Sequence, residues 1–187
     1  MKAALEKILG DLYIDSENVP YKVSKYINKE PLIKQHIEIL SSSQGDFIFY
    51  DQAEISIDKL QNWLNEIEIS LNQELIAIYK NNSLIGTSKI SFYEDKKSFC
   101  MGILIDKEHS NGRNFDIAIK GAILIHFFFN CNYEYCFGGC RKSNFRSVSF
   151  YHYFQFKNYK EKNDELNLYF ELSKEDFINR IQKIILP

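Results

Sequence analysis

Phe99-Cys100-Met101-Gly102-Ile103-Leu104-Ile105 is a continuous apolar run that stops at the polar stretch Asp106-Lys107-Glu108-His109-Ser110-Asn111-Gly112-Arg113-Asn114. From Phe115 the apolar positions return through Ile117, Ile119, Ile123 and Leu124 to Phe129. The run reads as a buried strand, the polar stretch with its Asn-Gly as a turn, and the rest as a helix over about 115–129. A strand feeding such a turn and then a helix can bind an anion. The first backbone N–H groups of the helix point at the turn, and the macrodipole favours negative charge there. Arg113 adds a cation suited to a phosphate. The same geometry also serves as a plain connector, so a second signal is needed.

Upstream, Ile33, Ile37 and Leu40 recur at helical spacing and predict a helix over about 31–41, with Pro31 in its first turn. Ser41-Ser42-Ser43-Gln44-Gly45 reads as a loop. A second helix is predicted over 57–69, capped by Ser56, with Leu60, Trp63, Leu64 and Ile67 as its apolar stripe. Glu74 to Tyr79 and Leu84 to Tyr93 read as a hairpin around Asn81-Asn82-Ser83. Downstream come a strand over 133–138, a helix over 145–154, strands near 156–161 and 166–172, and a C-terminal helix over about 174–186 bearing Phe177, Ile181 and Ile184. This order predicts an α/β layered fold in which the strands flanking helix 115–129 are parallel neighbours.

The second signal is Asn144-Phe145-Arg146-Ser147-Val148-Ser149-Phe150-Tyr151-His152-Tyr153-Phe154-Gln155-Phe156. An Asn after a strand, a small residue three on, a Phe-Tyr pair six and seven on, and a closing aromatic resemble the GCN5-related N-acetyltransferase (GNAT) family. Leu84-Ile85-Gly86-Thr87 is similar to that family's third strand and Gly102-Ile103-Leu104-Ile105 to its fourth. The resemblance covers about residues 47–172 of what reads as one domain over 1–187.

The resemblance implies a three-layer fold: a mixed sheet of about six or seven strands, helices on both faces, and two central parallel strands splayed apart. It implies acetyl-CoA as acyl donor, its pantetheine arm lying in the gap on backbone groups of Ile103, Leu104 and Ile105. The pyrophosphate would rest on His109, Ser110, Asn111, Gly112, Arg113 and Asn114, and Asn144 and Ser147 would face the pantetheine. Tyr151 would be the general acid that protonates the departing thiolate after direct attack by an amine. Glu94, Glu108 and Asp51 are the carboxylates near enough, by this layout, to be considered as base. Phe49, Tyr50 and Asp51, within Phe47-Ile48-Phe49-Tyr50-Asp51, fall where relatives build the acceptor pocket, and equally suit a core strand.

The sequence departs from the family pattern in three places. The phosphate turn, usually Gln/Arg-x-x-Gly-x-Gly/Ala, has His109, Gly112 and Asn114 in one register and Ser110, Arg113 and Phe115 in the other. Gln155 stands where the pattern closes with glycine. Ribosomal-protein members carry a base glutamate five residues before the Asn, and that position here is Gly139. The leading expectation is N-acetylation of a small primary amine such as a nucleotide-linked amino sugar. The alternatives are acetylation of a protein N-terminus and a non-catalytic acyl-CoA-binding module.

Composition narrows the field. The 187 residues carry 23 Lys+Arg against 25 Asp+Glu, a formal charge of −2, which opposes a nucleic-acid or anionic-membrane footprint. The 28 Phe, Tyr and Trp residues accompany many Lys, Ile and Asn, a mixture that A/T-rich codons account for as readily as a stacking surface does. The first twenty residues are too charged for a signal peptide, and the longest apolar stretch, 122–129, is too short for a membrane span, so a cytoplasmic protein, monomer or homodimer, is expected. Four cysteines do not make a disulfide scaffold. Cys131, Cys136 and Cys140 with His126 lack zinc-site spacing, so no metal is expected. Cys136 reads as a buried strand residue and His126 as a core histidine of the helix. Cys140, near the expected thioester, admits a reactive-thiol reading. Arg141-Lys142 with Arg146 is either a seat for the 3′-phosphate of CoA or a solvated face.

Overall fold

The computed structural model describes residues 21–42, 56–106, 108–109 and 113–185. Strand β1, Tyr21–Lys25, leads to helix α1, Glu30–Ser42, and then to α2, Ile57–Ile69. Strands β2, Gln73–Lys80, and β3, Ser83–Tyr93, form the expected hairpin. Its two-residue turn holds Asn81 and Asn82 at φ 50 and 64, the left-handed pair that a type I′ turn requires. Strand β4, Ser98–Ile105, α3, Arg113–Ile125, and β5, Tyr135–Arg141, follow. The chain ends with α4, Phe145–Tyr153, the short β6, Lys157–Asn158, β7, Asn167–Ser173, and α5, Lys174–Ile185.

The seven strands form one sheet in the order β1-β2-β3-β4-β5-β7-β6, antiparallel except for the parallel pair β4–β5. Strand β2 is buried on both faces because both are covered. Leu75 and Ala77 pack beneath Ile33 and Ile39 of α1 and Leu60, Leu64 and Ile67 of α2. Ile76 and Ile78 face the other layer, where α3, α4 and α5 bring Ile119, Ile123, Phe150, Phe154, Phe177 and Ile181. Helix α5 therefore packs on its own sheet. Ile85 is left without a partner in the β2–β3 register, a bulge that turns both Leu84 and Thr87 toward the α1 side.

Ser56 caps α2 as expected, accepting from the Lys59 N–H at 3.2 Å. Elsewhere the boundaries move. Helix α1 continues through Ser41 and Ser42, against the loop expected there, while residues 43–45 lie outside the described residues, as do Phe49, Tyr50 and Asp51. The predicted helix 115–129 is two pieces, α3 and one turn of π-helix, His126–Asn130. The extra residue in that turn advances the phase of the helix. His126 is consequently exposed rather than in the core, with Nδ1 3.2 Å from the Asn130 amide and Nε2 3.5 Å from Cys131 Sγ. Strand β5 starts two residues later than expected and runs through Gly138-Gly139 to Arg141. Among the described residues no helix is long and apolar enough to cross a membrane, and no group of three or more His, Cys, Asp or Glu is placed to hold a metal.

Candidate active site

The site follows from how β4 pairs. Toward β3 it is in register along its whole length, from Ser98↔Tyr93 to Ile105↔Gly86. Toward β5 the pairing stops after three steps, Ser98↔Tyr135, Phe99↔Cys136 and Cys100↔Phe137. Strand β5 meanwhile stays paired with β7 along all seven residues, from Tyr135↔Ser173 to Arg141↔Asn167. Each strand keeps its outer neighbour and loses its inner one. A gap therefore opens between residues 101–105 and residues 138–141.

Backbone alternation sets what lines the β4 side. The Asp106 N–H donates to the Ile85 carbonyl at 2.8 Å, which turns the polar groups of Leu104 toward β3 and those of Ile103 and Ile105 toward the gap. A Cβ built on Gly86 would lie 2.6 Å from the Leu104 carbonyl oxygen, which independently fixes that orientation. Of the three residues expected to hold pantetheine, Leu104 is thus corrected: its backbone serves the β3 ladder and its side chain packs with the α1–α2 layer. On the same strand, a Cβ on Gly102 would touch nothing within 4 Å, so open space adjoins β4 there.

Tyr151 stands at the point where the gap opens. Its ring stacks on Phe170, centroids 4.2 Å apart and planes at 13°, and its hydroxyl donates to the Gly139 carbonyl at 3.3 Å. Gly138, the first β5 residue past the last β4 pair, makes room for it: a Cβ at Gly138 would lie 2.5 Å from the phenol oxygen. Burial pushes the phenol well above its ordinary pKa, with Cys140, Cys136 and Cys100 adding to the effect. The group is a protonated donor at neutral pH. Cys140 is buried close by, and its thiol is pushed up to about 11 by burial, which makes it a poor nucleophile.

On the opposite face, Tyr169 lies over Gly139. A Cβ at Gly139 would meet the Tyr169 ring at 3.1 Å and the Leu168 carbonyl at 3.2 Å, so a carboxylate side chain does not fit at that position without displacing the ring. The glycine pair inside an apolar strand is the sequence signal for these two close approaches, whereas the sequence reading ends the strand there.

The wide end of the gap collects α3 and α4 N-termini. Asn144 caps α4, its side-chain oxygen accepting from the Ser147 N–H at 3.0 Å. Arg113 and Asn114 open α3. His109 Nδ1 lies 2.9 Å from Asp106 Oδ2, which ties the turn to the end of β4, and Glu108 is exposed beside it. Ser110, Asn111 and Gly112 lie outside the described residues. Glu94 is elsewhere. It follows β3 at the closed end of the parallel pair, where it accepts from the Tyr133 hydroxyl. It also lines a cavity of about 390 Å³ there, with Glu74, Lys97 and His126. The structure does not bring Glu94 to the gap.

No protein-family model matches the sequence, and no curated protein matches it. Solved structures do. The chain is similar to apo FdhC, described as a nucleotide-linked sugar GNAT, with 19% identity over 88% of this chain and 93% of that one at a TM-score of 0.65. It is also similar to a spermidine N-acetyltransferase SpeG chimera from Vibrio cholerae and hSSAT, with 14% identity over 85% and 98% and a TM-score of 0.71. The spermidine/spermine N-acetyltransferase SpeG from Vibrio cholerae in complex with manganese ions superposes at a TM-score of 0.66, with 15% identity over 86% and 96%. The element order, the half-unpaired parallel strands and these superpositions identify the fold of this chain as that of the GCN5-related N-acetyltransferases.

Proposed function

We propose that the protein is an N-acetyltransferase that moves an acetyl group from acetyl-CoA to a small primary amine. The observation that carries this reading is the gap between β4 and β5 with the buried Tyr151 phenol at its closed end. An extended pantetheine arm fits there as the missing strand, on the polar groups of Ile103 and Ile105. Asn144 keeps its side-chain NH₂ for the same arm while its oxygen caps α4. The start of α3, with Arg113 and Asn114, receives the pyrophosphate together with the turn from His109. An amine entering beside Gly102 attacks the thioester carbon. The carbon–sulfur bond breaks, Tyr151 gives its proton to the leaving sulfur, and the amine's proton leaves to water. Positioning supplies much of the acceleration.

Two observations bear on the acceptor. Gly139 has no carboxylate, and a side chain there would press on the Tyr169 ring, which speaks against the base of the ribosomal-protein members and hence against an N-terminal protein acceptor by that route. The sequence layout and the likeness to a nucleotide-linked sugar GNAT support an amino sugar of that class, while the likeness to spermidine N-acetyltransferases supports a polyamine as the competing acceptor. A thermal-shift titration tests the donor: acetyl-CoA at about 100 times its dissociation constant should stabilise the fold by about 2.7 kcal/mol. No shift with any acyl-CoA would end this reading. Release of free thiol from acetyl-CoA in the presence of a nucleotide-linked amino sugar, set against spermidine, then decides the acceptor.

A further inference from the structure

Gly102 is exposed, and the face of the sheet it occupies decides from which side an acceptor approaches. Leu104 packs with the α1–α2 layer, so alternation along β4 turns Gly102 and Cys100 to that same face. Tyr151 belongs to the other layer, with Phe150 and Phe154, and fills the start of the gap from the α4 side. Open space on one face and a buried phenol on the other put the incoming amine on the α1–α2 side and the leaving sulfur on the side of Tyr151.

The residue opposite Gly102 is Lys89, the one charged residue in the sequences of β3 and β4. In register it stands between Leu75 of β2, which is buried, and Gly102, which has no side chain. Two neighbours fix the place of its charge. Its Nζ lies 6.0 Å from the centre of the Trp63 ring of α2, and it draws down the Cys100 thiol, which burial pushes up. Cys100 also acts on the buried Tyr151 phenol. The last β4 residue paired with β5 is thus within electrostatic reach of Lys89 on one face and Tyr151 on the other. Lys89 is half-buried, and among the described residues no carboxylate pairs with it. Of the described strands, only β7 turns an acid to this face, Glu171, which is three strands away and opposes Lys157. An ammonium already partly desolvated, with no counter-charge, favours an acid group on the ligand. A polycation meets there a like charge that nothing offsets.

We infer that Lys89 selects the acceptor: its ammonium binds the phosphate of an amine that carries one, such as a nucleotide-linked amino sugar, and repels a polycation such as spermidine. The inference rests on the acetyl-CoA reading and names, for the same site, the residue that decides between its two acceptor classes. Turnover with three acceptors tests it: a nucleoside-diphosphate-linked amino sugar, the same sugar without the nucleoside diphosphate, and spermidine. The unmodified protein favours the first over the other two in kcat/KM by about tenfold or more, the worth of one hydrogen bond to a charged group. Lys89→Gln removes that margin by raising KM for the linked sugar, Lys89→Arg keeps it, and Lys89→Glu shifts the preference toward spermidine. The dissociation constant for acetyl-CoA is the same in all four proteins, which separates a loss of acceptor recognition from a loss of fold. An unchanged margin in Lys89→Gln, or spermidine as the better acceptor of the unmodified protein, overturns the inference and leaves the acetyltransferase reading intact. Three inactive acceptors in a protein that binds acetyl-CoA overturn it too, without touching the donor. Failure to bind acetyl-CoA overturns both.

Discussion

Strand β4 meets β3 and β5 with the same run of residues, and the two meetings differ. Against β3 it is zipped from Ser98 to Ile105; against β5 it is zipped only to Cys100. The zipped side has no spare room, since a Cβ on Gly86 would meet the Leu104 carbonyl at 2.6 Å and the Ile105 side chain at 2.8 Å. The unzipped side has room at Gly102 and a phenol at Gly138. Half of the sheet is thus a platform, and along the other half β4 and β5 do not pair past Cys100 and Phe137.

The largest test falls on the unzipped side. Tyr151→Phe should lower turnover by about 10²- to 10⁴-fold, the usual worth of a general acid, while the dissociation constant for acetyl-CoA stays the same. Equal turnover in the variant would remove the phenol from the chemistry. A fall in affinity matching the fall in rate would make it a packing residue instead.

On the zipped side the sharpest probe is acid. His36 of α1 is 1% exposed between Tyr26 and Trp63, with Nε2 3.3 Å from Thr87 Oγ1 on β3 and no partner for Nδ1. Burial lowers its pKa from 6.5 to about 4. Folding therefore favours the neutral ring. The stability this secures is complete above pH 6.5 and is lost as pH falls toward 4. By linkage the loss amounts to about 3 kcal/mol. Urea midpoints measured across that range should fall in the natural protein and stay flatter in His36→Gln. Parallel slopes would assign the acid sensitivity to other groups.

The glycines compare the two sides directly. Gly86→Ala and Gly138→Ala should each destabilise by about 1–3 kcal/mol, because the new methyl meets a backbone oxygen in one case and the Tyr151 ring in the other. Gly102→Ala should stay within about 0.5 kcal/mol, since its methyl enters open space. Chemical denaturation of the three variants checks the order. A large loss at Gly102 would mean that protein, and not open space, covers that face of β4.

Much of this was legible in the sequence because local signals agreed with one another. Ser56 followed by an apolar stripe gave α2 its bounds, and the Asn81–Asn82 turn gave the β2–β3 hairpin. The gap itself was not legible from β4, whose Ile103-Leu104-Ile105 would look the same in a fully paired strand; it came from resemblance in the Asn144–Phe156 segment. Strand β1 was missed because Tyr-Lys-Val-Ser-Lys offers a single aliphatic residue on a short edge. His126 was misplaced because its neighbours keep an apolar pattern through a π-turn that changes which side faces out. Arg141 and Arg146 were visible as a charge run, but only β5 and α4 show where in the fold they stand.

The smallest expected effect concerns Gln155, where the resemblance led one to expect glycine. Its φ is 59, in the left-handed region, just beyond the end of α4. The position closes the helix: the Gln155 N–H donates to the His152 carbonyl at 3.0 Å, and the Phe156 N–H reaches back to the Tyr151 carbonyl at 2.9 Å. A side chain there opposes a Cβ against its own carbonyl at a cost of roughly 1–2 kcal/mol, which glycine avoids while adding freedom to the unfolded chain. The two terms partly offset, so Gln155→Gly should stabilise by about 0.5–1 kcal/mol. Because the bond from Phe156 ends on Tyr151, the same substitution leaves the Tyr151 ring in place, and turnover should be unchanged while the denaturation midpoint rises. A variant less stable than the natural chain would show that Gln155 holds the end of α4 by contacts of its side chain and that the left-handed turn is not under strain.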